Sequence, residues 1–540
     1  MHHTLAMQSF FRSGSALSAV LLMFVAVSVP QAAAQDHHHP AGDAAELGRV
    51  EFPTSCAAEV HAKLERAVAM LHSFWFDAAL SEFDAIVAAD AGCAMAQWGR
   101  AMTLMGNPMT RAAPPPAVLE EGRQAAARAK ALAGGVTHRE AMYIDAAVAF
   151  YEGGDAQLAR MQALESALEA LHRAHPEDRE AAIFSARALV ANADPADRTF
   201  ARQLRAAGML EPLFAAHPDH PGAAHYLIHA YDAPPLAERG VDAAQAYAAI
   251  APAAPHALHM PSHIFTRLGY WDESIETNAR SAQAEPDPNA AVHPMDYMVY
   301  AYLQQGRDAE AKSVVDRAVQ NPDRFYADLL GYNFAAMPAR YALERDAWAE
   351  AASLRLPTGV PPYAEAVTRF ARVVGAARSG RVEAAAPDLE ALERLSRELT
   401  ERGAVEWATR VAAQRLAAAA WLAHARGDSQ TALKLAAEGA DLEDTIEKHP
   451  VTPGPILPAR ELKADLLLEL GRHAEAHREY EKTLEREPRR ARSLYGAARA
   501  AELAGDRERA RELYGDLLEL MSRADEGRAA LRAARRGTGG

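Results

Sequence analysis

Five histidines fall at helical spacings within one short region of the chain. His225 and His229 lie four apart in AAHYLIHAYD (residues 223–232), and His256, His259 and His263 follow at steps of three and four in PHALHMPSHIF. At 100° per residue the first two project about 40° apart, and the other three fall within about 60° of one another, so each set forms a stripe. Imidazoles packed together must stay neutral, hydrogen-bond elsewhere or share a cation, because neighbouring imidazolium ions repel. A divalent ion takes neutral imidazole nitrogens as ligands, and Zn and Cu suit that donor. Asp232, about one turn past His229, is placed to orient a ligand as a second layer around the ion. The helix lacks the glutamate of the zinc-protease signature, since residues 226–228 read Tyr-Leu-Ile. Tyr226, Tyr231, His293, Asp296, Tyr297 and Tyr300 are expected to line the same groove, the tyrosines through apolar contact. A competing reading treats histidine as a boundary residue, because His175, His217, His293 and His449 all precede prolines, where an imidazole can cap a helix end.

Those residues need helices to carry them. The chain of 540 residues is 50% apolar but only 7% aromatic, and much of its apolar share is alanine, which favours helices packed through small side chains over a β-rich core. Gly471, Ala476, Tyr480 and Leu484 recur thirty-four residues later as Gly505, Ala510, Tyr514 and Leu518. Glycine closes a turn, the small alanine lets two helices cross closely, and the larger residue fills the gap beside the crossing. Looser copies occur at Gly306, Ala311 and Val315, at Gly380, Ala385 and Leu389, and at Ala79 and Phe83. Thr137 and Glu140 form a capping-box pair that starts a helix, NPMTRAAPPP (107–116) cannot be regular helix, and Pro261 either kinks or starts one.

On these residues the chain resembles the tetratricopeptide repeat (TPR) family, most closely in ELGRHAEAHREYEKTLEREP and ELAGDRERARELYGDLLEL. CAMAQWGRAMTLMGNP, HYLIHAYD and HALHMPSHIFTRLGYW also resemble a group of exported bacterial repeat proteins. The resemblance implies an all-α solenoid of stacked helix-turn-helix hairpins that binds peptides or proteins, with first helices lining a concave groove. In that register the two histidine stripes sit side by side, at a helix separation of roughly 8–10 Å. The expected sections are a signal peptide (1–34), a histidine-containing disordered tail (35–52), and an irregular N-terminal section with the histidine groove (53–323). Middle hairpins (324–449), a Pro-rich hinge (450–458), two regular repeats (459–534) and a tail (535–540) complete the chain.

The first thirty-four residues read as a secretory leader: Arg12, an apolar run from Ala16 to Val29, then Ala32 and Ala34 as a small-x-small cleavage site. The run is too short to span a bilayer, so the mature chain is expected to lack a membrane span and to reside in the periplasm or outside the cell. Cys56 and Cys93 are the only cysteines, and export makes a disulfide between them the expected state. His37–His39 would lie near the new N-terminus, where a free amine and a histidine can chelate Cu. A net charge of -15 argues against a nucleic-acid partner. The basic run REPRRARS, ending at Ser493, reads as a solvated helix junction. There is no Gly-rich phosphate loop, nucleophile elbow or CxxC pair.

Three functions fit. One is a solenoid that binds a peptide, protein or small ligand in its groove, with or without a histidine-bound metal. A second is a Zn- or Cu-dependent enzyme at the five histidines, hydrolase or oxidoreductase, with Asp232 or Asp296 as its base. The third is an envelope assembly scaffold acting through the C-terminal repeats.

Overall fold

Several turns of the array are set by one residue that can enter the left-handed region. Gly269, Gly306, Gly471 and Gly505 all have φ between 70° and 92° and end the first helix of a hairpin, where a side chain would strain the backbone. The computed structural model describes residues 46–320 and 329–539, and among these no strand forms. Helices follow one another as antiparallel neighbours, each packed on the next, in an all-α solenoid of TPR-like hairpins. Thr137 accepts from the Glu140 amide while the Glu140 carboxylate accepts from the Thr137 amide, which starts helix His138–Glu152. Residues 111–115 are irregular before helix Pro116–Leu132, as the prolines require.

The crossings are closed by aromatic rings lying on glycines. A Cβ added at Gly496 would come within 2.2 Å of the Tyr480 ring, and one at Gly99 within 2.2 Å of Phe83. Tyr480 belongs to helix His473–Arg486 and Gly496 to helix Ala491–Ala504, so the ring fills the space that the missing side chain leaves. One apolar core runs from Leu47 through Leu268, and a second from Tyr332 through Leu466. A third joins Trp271, Ile275 and Tyr300 to Leu467, Leu494 and Leu517, so the C-terminal hairpins pack back onto the middle of the array.

Four expectations change. Residues 46–52 are not a disordered tail: Leu47, Val50 and Phe52 are buried, and Arg49 donates its amide to the Asp219 carbonyl. Residues 450–458 are not a hinge. Val451, Thr452, Ile456 and Leu457 are buried, and the prolines prevent a helix that would otherwise satisfy the backbone. Side chains do so instead: Tyr297 donates to the Pro450 and Thr452 carbonyls, Asn333 to that of Val451, and Arg340 to those of Gly454 and Pro455. The REPRRARS run is not a solvated face, because Arg490 is fully buried between Glu344 and Glu461. The last helix, Ala529–Thr538, runs through the expected tail and buries Leu531 and Ala534. The signal peptide, His37–His39 and the 323/324 boundary lie outside the described residues.

Candidate metal centre

His225 and His229 project from helix Pro221–Tyr231, His256 and His259 from the short helix Pro255–His259, and His263 from helix Pro261–Leu268. Pro261 starts that last helix, so the two short helices meet at Met260 and aim three imidazoles at one volume. His293 enters from helix Val292–Gln304. The rings form two sets: His225, His229 and His256 in one, and His259, His263 and His293 in the other, with ligand nitrogens inside each set all within 4.8 Å of one another. The sets adjoin, with ring centroids 5.7 Å apart for His229 and His263 and 5.9 Å for His256 and His259.

The surroundings fix where the ring protons sit. His225 Nδ1 donates to the His72 carbonyl at 2.6 Å, an oxygen left free at the C-terminus of helix His61–His72. His263 Nδ1 donates to Asp232 Oδ2 at 2.8 Å. His259 Nδ1 donates to Asn278 Oδ1 at 2.6 Å, and the Asn278 amide nitrogen donates to the Ser274 carbonyl, which sets the amide's orientation. Neutral rings so anchored carry their lone pairs on Nε2. Those Nε2 atoms face inward: His259 and His263 at 3.1 Å, His225 and His229 at 3.1 Å, His225 and His256 at 3.3 Å. Two nitrogens bound to one tetrahedral or trigonal ion at about 2.0–2.1 Å stand roughly 3.3–3.6 Å apart, close to these separations.

Burial keeps the rings uncharged. It is the first cause holding His225, His229, His256 and His259 well below the usual imidazole range, and mutual repulsion adds to it. His293 is pushed down to about 3 by burial, then by His263 and Lys448. Asp232 stays ionised because Lys448 and Arg267 outweigh its burial: Lys448 Nζ and Arg267 Nε each lie 2.9 Å from its oxygens. Lys448 arrives on the buried segment near 450–458, so that segment also completes the site.

All five histidines of the two stripes therefore meet, and Asp232 stands behind His263. His293, expected as a groove contact, stands in the second histidine set instead. The other expected groove contacts are internal. Tyr226, Tyr231, Tyr297, Tyr300 and Asp296 are all nearly inaccessible, Asp296 is paired with Arg340, and the tyrosine hydroxyls bond within the protein. Their helices pack on both sides, so the stripe does not open into a wide groove. Cys56 is bonded to Cys93 across the first two hairpins.

Three features have no signal in the sequence. Phe74 adopts φ 52°, a strained conformation for a bulky residue, and lays its ring 4.5 Å from His225 and 5.3 Å from His256. Asn278 is one of many polar helix residues until the fold places it on His259. A buried triad lies next door, in which His72 Nε2 and His220 Nε2 donate to Glu180 at 2.8 and 2.7 Å. Its chemistry differs, because His220 Nδ1 accepts the Ala223 amide, so Nε2 carries the proton and is no ligand in the neutral ring.

No protein-family model matches the chain, and no curated protein matches it. Among solved structures, the human IFIT1 dimer with m7Gppp-AAAA is 12% identical, covers 75% of this chain and 87% of its own, and superposes with a TM-score of 0.34. Yeast Tom70 is also 12% identical, covers 88% and 95%, and gives a TM-score of 0.27. Superpositions that loose carry neither a ligand nor a residue role across, and the histidine centre stands on this chain's own geometry.

Proposed function

We propose that the protein is a TPR-like solenoid whose N-terminal hairpins hold two transition-metal ions, one in each set of three histidines. The observation that carries this reading is the His259–His263 pair. Both Nδ1 protons are committed, to Asn278 and Asp232, so two Nε2 lone pairs point at each other across 3.1 Å. Facing lone pairs repel unless a cation lies between them. A shared proton would make one ring an imidazolium; burial opposes that, with Lys448 and Arg267 adding to it, and together they outweigh the support that Asp232 gives. A metal ion takes both lone pairs at once, and the outer partners are those that typically orient metal-bound histidine.

The disulfide supports an oxidising location, in keeping with an exported protein. Elemental analysis of protein purified without an affinity-metal column is expected to find two ions per chain. His225→Ala and His263→Ala should each remove one ion, and unchanged stoichiometry in both would end the proposal.

A further inference from the structure

The ligand sets contain imidazole alone. No carboxylate or thiolate stands in either set of three among the described residues, so each ion has three protein nitrogens and at least one open position. The two ions would be neighbours: ring centroids across the sets, 5.7 and 5.9 Å apart, lie inside the range found within them, 4.4 Å for His259–His293 to 6.5 Å for His263–His293. Open positions on adjacent ions can share one small bridging molecule.

Charge selects among the ions. Six neutral ligands leave the full charge of the metals inside a buried site. The carboxylate touching a ring is Asp232, which Arg267 and Lys448 already match. Two divalent ions would place four uncompensated positive charges there, a large desolvation cost, whereas two cuprous ions place half as many. Of the metals that imidazole suits, copper is the one with a common monovalent state. Hydrolysis is disfavoured for a separate reason. A metal-bound water needs a base, and Asp232 is held by three donors while Asp296 is sealed against Arg340. Small ligands have a way in: His256 and His293 are partly exposed, and a cavity of ≈ 90 Å³ reaches His229 beside Asp232 and Lys448.

Resting on the two-ion reading above, we infer that the centre is a copper pair whose substrate is dioxygen. Each cuprous ion gives one electron, and the two electrons reduce O₂ to the peroxide dianion, leaving two cupric ions. The incoming dianion supplies the negative charge the cage lacks, so oxidation and bridging occur together. Two protons from water then release hydrogen peroxide, and a two-electron organic reductant such as ascorbate, oxidised to dehydroascorbate, returns both ions to the cuprous state. Phe74, stacked on His256 and edge-on to His225, packs against the first set.

The test loads the full chain with Cu(I) under anaerobic conditions and then admits oxygenated buffer. Uptake of one O₂ per two copper ions, with a cupric pair whose magnetic coupling suppresses the ordinary paramagnetic resonance signal, is expected. His229→Ala and, as a second variant at a partly exposed ring, His293→Gln should each keep one copper ion, take up no O₂ at this stoichiometry and show an uncoupled cupric signal. A chain that binds two copper ions but leaves O₂ untouched, or gives two uncoupled signals, overturns the inference and leaves the two-ion reading standing. A chain that retains neither copper nor zinc overturns that reading itself.

Discussion

A histidine becomes a ligand through the atom behind it. His225, His259 and His263 are chemically alike, yet three different oxygens hold their Nδ1 protons: a helix-terminal carbonyl, an amide and a carboxylate. Each leaves Nε2 bare, that of His225 facing the first set and those of His259 and His263 facing each other in the second. The amide is the most separable of the three, since Asn278 carries no charge and its loss strands no buried partner ion. Asn278→Ala is expected to weaken the ion at His259, His263 and His293 by about 10–100-fold while sparing the other, because His259 is then free to move its proton to Nε2. Chelator competition monitored by metal release measures this, and equal retention of both ions would contradict it.

At the scale of the element, packing depends on which glycines are covered. Gly496 lies under the Tyr480 ring, so Gly496→Ala should destabilise by about 1–3 kcal/mol as the ring is displaced. Gly515, within helix Arg507–Leu520, meets nothing within 4 Å, and Gly515→Ala should instead stabilise by about 0.5–1 kcal/mol through helix propensity. Denaturant midpoints of the two variants should move in opposite directions. The segment after helix Ser429–Glu443 adds a pH term. Glu443 accepts the Ala459 amide at 2.7 Å, and burial raises its carboxyl to about 7. A raised acid pKa means the folded state keeps a proton the unfolded chain has lost. That contribution is complete below the unfolded value of 4.5 and disappears as pH rises towards 7. Glu443→Gln should flatten this part of the stability profile, by up to about 3 kcal/mol between its ends. Unfolding curves that keep the wild-type slope would refute the assignment.

The whole molecule is interlocked rather than strung out in separate sections. The 450–458 segment is bound by Tyr297, Asn333 and Arg340, Lys448 reaches Asp232, and Trp271 donates to the Arg489 carbonyl. Removing the C-terminal repeats would expose the packing surface around Trp271 and Tyr300, so such a truncation tests folding before it tests a scaffold role. Metal should tie into the same cooperative unit. The two proposed ions would tie helix Pro221–Tyr231 to Pro255–His259, and Pro255–His259 to Pro261–Leu268 and Val292–Gln304, and an ion that binds only the folded chain stabilises it by about 2.7 kcal/mol at a hundredfold excess over Kd. Chelation should therefore lower Tm in calorimetry and re-addition restore it. A Tm indifferent to metal would show that the histidine cage closes without an ion.

Local repetition wrote much of this architecture into the chain. The two histidine stripes follow from a period of 3.6 residues, and the thirty-four-residue offset, the turn glycines and the Thr137–Glu140 cap are likewise short-range patterns legible along the sequence. The buried course of 450–458 could not be read there, because prolines mark a hinge and an internal strap alike until side chains from other helices meet their carbonyls. Nor could the division of six rings into two sets, the entry of His293, or the positions of the ring protons. Those depend on partners such as His72 for His225 and Lys448 for Asp232, which lie 153 and 216 residues away. Helical periodicity is a property of neighbours along the chain, whereas a lone pair's direction is set by whatever the completed fold brings to the other side of the ring.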